Sequence, residues 1–512
     1  MPENLASFKV FCQGGLNTSR DVLSQGENQP GSATALINYE PAVTGGYRKI
    51  NGFANNYGTV TGTGSVLGVC VADGINDGIF ACRTPSSGNN YLHKWNSSSS
   101  AWQAITTSGS PTMVGVTKVR FSTLNFGTPK VVLTDGINPA ATYDGSTYTQ
   151  ITHSDAPTDP KFSAIFQNHL FLAGDPAHPT KLYHSAPLAE TDFASGNGAG
   201  VINVGFPIVA IKSFRNELFI FGATNIKKLS GTALANFTVQ TVTDDLGCLA
   251  TDSVIEIGGD LLFLSQDGLR PISGTAKIGD VNLETVSKNI QSIFTDIVFD
   301  IDLDTLNAVV IRQKTQFRYF FGAADSQGII GGFRQTPNGL QFEYSQMLGI
   351  TATCADSGYI GQNEIVLHGT SDGKVQQQES GNSFGGDPIF SIFQTPFFHM
   401  QDPEQRKIFY NIATYLRSEG DNSIVMSAVY DYEDVDTLNP TNFNLSTTGA
   451  AAFFNEATYN STAIFDGNPS PVQRTNISGS GKSASFKFVT NDTNASHSVQ
   501  GLVITFGVGD RL

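Results

Sequence analysis

The feature that most constrains the fold is a short apolar phrase that returns every 40 to 50 residues. Asn168-His-Leu-Phe-Leu-Ala-Gly174 is echoed by Asn216-Glu-Leu-Phe-Ile-Phe-Gly222 and by Gly259-Asp-Leu-Leu-Phe-Leu-Ser265, at offsets of 48 and 43 residues. A repeat of about 45 residues has room for roughly four short strands and their turns, the size of one β-propeller blade.

The echo continues downstream of each phrase. Ile226-Lys-Lys-Leu-Ser-Gly-Thr-Ala233 aligns with Leu269-Arg-Pro-Ile-Ser-Gly-Thr-Ala276, and Lys181-Leu-Tyr-His-Ser-Ala186 is a looser copy. Further relatives are Val131-Val-Leu-Thr-Asp-Gly136, Tyr91 to Trp95 with Trp102 to Ile105, and Ile365 to Gly373. The Asp-Gly pairs at Asp73, Asp135, Asp144, Asp267 and Asp372 mark hairpins, because glycine accepts the positive φ that tight turns require. The pattern predicts an all-β chain with a β-propeller of six or seven irregular blades over residues 53–395.

Composition agrees with strands rather than helices. Only 15% of residues are charged, against a usual 25% or so, while Gly numbers 53 and Phe 36. One stretch departs from this: Val286, Ile290, Ile293 and Ile297 fall at helical spacing and predict a helix over 282–299, inserted between two units. Residues 1–52 carry Gly14, Gly15, Gly45, Gly46 and Gly52 and read as an extended N-terminal arm without helix. Beyond residue 395, alternating segments such as Ser423 to Tyr432, Ser485 to Val489 and Val499 to Phe506 predict a β-sandwich-like domain over 396–512. Its loop from Asn439 to Ser470 is polar enough to reach a neighbour.

Several function classes find little support. The formal charge of −15 comes without any Lys or Arg block, which disfavours wrapping nucleic acid. An acidic wall would instead keep a polyanion from sticking. Five scattered cysteines lack metal-ligand spacing and read as reduced, buried thiols, although Cys70 and Cys82 flank a hairpin and could approach each other. The first residues lack a secretion signal, and no apolar run reaches membrane-spanning length, so the expectation is a protein made soluble in a reducing cytoplasm. No nucleophile elbow, Walker loop, His-Glu-x-x-His helix or Cys-x-x-Cys pair occurs. His169, His178 and His184 lie near Asp175 and Asp192 but not at ligand spacing, and acid pairs such as Asp244-Asp245 belong to turns. No catalytic residue, metal or cofactor is predicted.

The N-terminal segment carries a resemblance. Gly14-Gly-Leu-Asn17, then Leu23 and Gly26, then Ala35-Leu-Ile-Asn38, then Gly45-Gly-Tyr-Arg-Lys-Ile-Asn-Gly52 is similar to the opening of tailed-bacteriophage tail proteins, with Ile50-Asn51 where that pattern usually has Pro. Pro179 to Ala186, Pro207 to Ile211, and Val242-Thr-Asp-Asp-Leu-Gly-Cys248 followed by Gly259 to Arg270 resemble the propeller of phage nozzle and tail-hub proteins, of the tail tubular protein B or packaged-DNA stabilisation class. The resemblance spans most of residues 14–410. It implies a structural virion subunit, assembled in the host bacterial cytoplasm into a homo-oligomeric ring of six copies below the head-to-tail adaptor. Such a ring conducts viral DNA without reading its sequence and anchors tail fibres or spikes. Gly14, Gly15, Arg48 and Lys49 are the candidate assembly contacts. Arg48 and Lys49 could pair with Asp21, Glu27 or Glu40 across a subunit contact, or stand as solvated loop charges.

The alternative is a carbohydrate-binding or glycan-cleaving propeller of a receptor-binding protein, which would gather aromatics and acids at one mouth of its channel. On the structural reading, deleting residues 1–52 should weaken assembly more than propeller folding.

Overall fold

The computed structural model describes residues 5–275, 285–300, 302–322, 327–336, 339–400, 402–434, 437–446, 451–452, 464–465 and 471–508. Six small antiparallel sheets form self-contained propeller blades. Blades 1 to 4 have four strands each, starting with Thr63–Val71, Arg120–Asn125, Phe162–Phe166 and Ala210–Phe214; blade 5 has three among the described residues, starting with Ile255–Ile257. Blade 6 starts with Cys354–Ile360. Between blades 5 and 6 the ring is completed by Asn307–Ile311, the first strand of a nine-stranded sheet.

The repeated phrase is the second strand of its blade. His169–Ala173, Glu217–Phe221 and Asp260–Ser265 occupy that place in blades 3, 4 and 5, and Pro129–Thr134 and Asn363–Gly369 occupy it in blades 2 and 6. These strands are sandwiched between neighbouring blades, so both faces are apolar and the sequence runs hydrophobic without alternation. Each of the three copies is entered through a two-residue turn with both residues at positive φ: Gln167-Asn168, Arg215-Asn216 and Gly258-Gly259. Such turns match the twist of the strands they join. All five Asp-Gly pairs likewise lie in or at the edge of a strand-to-strand turn.

The last blade is closed by the start of the chain. Phe53–Ala54 adds to Val375–Gln378 as the fourth strand of blade 6, so the ring is latched by residues far apart in sequence. After the propeller, the C-terminal β-domain is a sandwich of the nine-stranded sheet and a seven-stranded one. Phe486, Phe488 and Ile424 of the first pack with Ile412, Leu502 and Ile504 of the second in one core, which continues onto Leu262 and Leu264 of blade 5.

Residues 5–54 are woven through both parts. Leu5–Phe11 pairs antiparallel with His497–Val508, from Leu5 opposite Gly507 to Phe11 opposite Gly501. Ala35–Ile37 is an internal strand of the nine-stranded sheet, between Gly339–Leu348 and Ile389–Gln394. The helix-free arm read from the glycines is corrected by a short helix, Val22–Asn28. Asp21 caps it by accepting from Ser24 N at 2.8 Å, which supplies the start signal that the glycines obscured. The predicted insertion is present as Gln291–Asp300 after a turn of 3-10 helix at Lys288–Ile290, while 282–284 lie outside the described residues. Most of the loop 447–470 also lies outside them.

This weave changes the expected result of an N-terminal truncation. Removing residues 1–52 takes out an interior strand and opens two sheets, so the truncated chain should lose its fold and not merely its assembly. Circular dichroism and a melting curve read this directly. A cooperative melt close to that of the full chain would overturn it.

A buried ionic network fastens the arm to the propeller. Arg318, with no solvent exposure, pairs with Glu379 and approaches Glu40 at 3.6 Å. Lys314 also reaches both glutamates, at 2.6 Å to Glu40, and Arg48 bonds Glu40 at 2.9 Å. Gln316 Nε2 donates to Glu40 Oε2 at 3.1 Å, and Asn51 Nδ2 donates to Glu379 Oε2 at 3.0 Å. Burial alone would raise the Glu379 carboxyl, but Arg318 and Lys314 outweigh it and bring it down to about 2.

Candidate functional site

The first strands of all seven ring positions surround a central cavity of about 600 Å³. Two aromatic residues, Phe121 and Phe162, are among the lining residues. The charged lining comprises Lys118 and Arg120 from blade 2, Lys212 from blade 4, Asp252 and Glu256 at blade 5, Arg312 after the seventh wall, and Asp356 from blade 6.

Three of these groups satisfy one another. Asp252 accepts from Lys118 Nζ at 2.6 Å and from Arg120 Nε and Nη2, both at 2.9 Å. Lys118 Nζ also donates to the carbonyl of Leu306 at 3.0 Å, bracing blade 2 against the seventh wall. Burial pushes the Asp252 carboxyl up, yet the two cations more than offset this and hold it at about 2. Asp356 shows the opposite balance. It accepts the backbone N–H of Val71 at 2.8 Å, and burial raises its carboxyl to about 6 despite the fields of Lys212 and Arg312.

The residues singled out from sequence lie elsewhere. Gly14 N donates to Glu343 Oε1 at 2.6 Å, and Gly15 N donates to the Tyr47 hydroxyl at 3.0 Å. A Cβ at Gly15 would stand 2.7 Å from Tyr344 N, and one at Gly46 would stand 2.3 Å from the Val499 carbonyl; both residues also have positive φ. These glycines let the arm cross other backbones at close range. Arg48 bonds Glu40 and Glu419, the latter at 2.6 Å, and the buried Lys49 pairs with Asp492 at 2.6 Å. All four candidate assembly residues thus spend these contacts within the chain. Within the chain Arg48 and Lys49 are paired and largely buried, with Glu40, Glu419 and Asp492 as partners, and are not solvated loop charges.

His169 and His184 do come together, their rings 5.2 Å apart, but inside an aromatic cluster with Phe171 and Phe237. His178 stands apart from them, exposed and 3.8 Å from Asp175. No metal-binding group of three His, Cys, Asp or Glu side chains occurs among the described residues. All five cysteines are buried and unpaired; burial pushes the Cys248 thiol up to about 11 and that of Cys354 to about 12.

Sequence reading missed the cavity residues because the charges come one or two at a time from separate repeats. A usable signal is present in hindsight: Lys118, Lys212 and Asp356 lie in or beside the strand that opens their blade, where a fully buried strand would carry no charge.

No protein-family model and no curated protein matches this sequence. Solved structures with related architecture are distant. The extracellular domain assigned to a one-component system of B. thetaiotaomicron is 12% identical with a TM-score of 0.40, over 66% of this chain and 41% of that one. An ancestral GH74 enzyme is 11% identical with a TM-score of 0.38, over 72% and 53%. An exo-β-1,3-galactanase of Phanerochaete chrysosporium is 11% identical with a TM-score of 0.25, over 89% and 100%. The chain therefore spans about two fifths of the first of these and half of the second, and likenesses this distant assign no activity.

Proposed function

We propose that this chain is a structural subunit of a tailed-phage virion, of the nozzle or hub class. In this reading identical copies form a ring of six below the head-to-tail adaptor, conduct DNA and anchor fibres or spikes. The observation that carries it is the placement of the N-terminal motif. Gly15, Gly46 and Gly52 each sit where an added Cβ would strike another backbone, at 2.7 Å or closer. The same segment pairs with the last strand and latches blade 6, so propeller and sandwich form one body. That is the mechanical property a load-bearing ring subunit requires, and a reason for such a motif to be glycine-rich. The propeller cavity is far too small for a DNA duplex, so the conduit in this reading runs between copies and not through one. Negative-stain images and sedimentation of the purified protein test it: rings with an open lumen are expected. A concentration-independent monomer, absent from virions, would overturn it.

One observation favours a second reading, glycan binding or cleavage in the cavity. Asp252 and Asp356 share one space with their ionisations driven to opposite ends, the arrangement that separates a base from an acid. Sugar release from a polysaccharide that is lost in both Asp252→Asn and Asp356→Asn would support it. The two cations bound to Asp252 and the scarcity of aromatic rings in the lining count against it.

A further inference from the structure

The cavity lining differs in charge from the rest of the molecule. The chain has 30 basic and 45 acidic residues, whereas the lining has four cations and three acids. Lys118 and Arg120 are committed to Asp252. Lys212 and Arg312 are left.

Lys212 has no carboxylate partner among the described residues, and Arg312 has one at long range. Lys212 is exposed on the inner strand of blade 4, and its ammonium makes no hydrogen bond or ion pair among the described residues. Arg312 is half exposed. One guanidinium nitrogen, Nη1, donates to Ser357 Oγ at 3.0 Å and to its carbonyl at 3.3 Å, which fixes the head group at the cavity wall. The nearest carboxylate, Glu364 at 3.7 Å, already accepts the backbone N–H groups of Arg312 and Gln313, at 2.7 and 2.9 Å. Both line the same cavity from different walls, and Arg312 is anchored on Ser357, the chain neighbour of Asp356. Ser122, Ser163 and Ser213 supply further hydroxyls to the lining.

We propose that the central cavity binds a small oxyanion, an acidic monosaccharide or an inorganic anion of similar charge, gripped between Lys212 and Arg312. A fixed guanidinium and a mobile ammonium give charge-assisted hydrogen bonds to two oxygens of one ligand. The cavity has room for a single sugar ring. The inference goes beyond the assembly reading and does not depend on it, since the site lies within one subunit.

The groups facing this space set its pH response. Asp252, held at about 2 by the two cations it binds, stays ionised, and Glu256 opposes an anion. Asp356 switches near pH 6: its protonated form can donate to the ligand and its ionised form repels it. Affinity should therefore rise as pH falls through about 6.

Calorimetric titration with sodium glucuronate, sodium sulfate and glucose tests the proposal. Glucuronate, sulfate or both should bind at one site, with glucose silent. Glucuronate tighter than sulfate marks a sugar acid as the ligand class, and the reverse marks an inorganic anion; either upholds the site. Lys212→Gln and Arg312→Gln should each weaken binding by about tenfold, Lys212→Arg should keep it, and Glu256→Gln should tighten it. A melting curve confirms that the Lys212 variants fold. Absence of binding by both anions, glucose binding as well as glucuronate, or an unaltered affinity in the Lys212→Gln/Arg312→Gln double variant would each overturn the inference.

Discussion

Arg318→Ala is expected to cost the fold about 3 kcal/mol. The guanidinium has no exposed surface, and its removal leaves Glu379 and the nearly inaccessible Glu40 short of countercharge in a low-dielectric space. The loss falls at the lower end of what a broken buried pair costs, because Lys314 still reaches both carboxylates and Arg48 still bonds Glu40. The pair Lys374–Asp372 provides the internal control. Both its side chains are largely exposed, at 40% and 55%, so Lys374→Ala should change stability by less than about 1 kcal/mol. Urea unfolding of the two variants beside the parent measures the contrast. Equal midpoints for Arg318→Ala and Lys374→Ala would show that the network holds little of the fold.

Mild acid should destabilise the protein before Glu379 and Asp252 are protonated. His368 and His497 are each 1% exposed, and burial pushes their imidazoles down to about 4 and about 3. In the folded state they stay neutral while the unfolded chain takes up protons below about 6.5. Their stabilising contribution is therefore complete above pH 6.5 and falls as pH drops toward the folded values, at roughly 1.4 kcal/mol per pH unit for each histidine. Asp356 acts in the opposite sense. With its carboxyl raised to about 6, it adds stability as pH falls from there toward 3.8, which offsets at most one histidine. Two losses against one gain leave a net decline. Below pH 4.5 Glu379, and below 3.8 Asp252, then lose their ionic contributions as well.

Both histidines stand at seams. His368 packs its ring 5.1 Å from Phe53, which latches blade 6, and His497 bonds the Tyr39 hydroxyl at 2.8 Å, where the arm meets the last strand. Denaturation series between about pH 7.5 and about pH 5 should show the decline, and His368→Gln should flatten it. A flat stability profile over that range would rule the mechanism out.

The blade strands were legible because burial on both faces writes an uninterrupted apolar run, and because the turns before them need residues that tolerate positive φ. His169–Ala173, Glu217–Phe221 and Asp260–Ser265 carry both signals. The inner strands carry neither. Phe162–Phe166 alternates, and Ile255–Ile257 is only three residues long, so the cavity they build could not be assembled from sequence. The seventh wall was hidden for another reason: Asn307–Ile311 belongs to a sheet that continues into the C-terminal domain, and its unit has no local end. The arm failed as a prediction because its glycines signal close approach to distant backbone, a tertiary cause that local propensity cannot express.

The pairing of Leu5–Phe11 with His497–Val508 also governs how the molecule can be made. Translation proceeds at about 5–20 residues per second, so the early strand leaves the ribosome roughly 25 to 100 s before its partner exists. Phe53–Ala54 likewise waits for Val375–Gln378 before the ring can shut. Throughout that interval nascent blades present unpaired edges, and intermolecular pairing competes with closure. The yield of native protein in a producing cell is thus set by elongation speed and by the capacity of chaperones to shield an open ring.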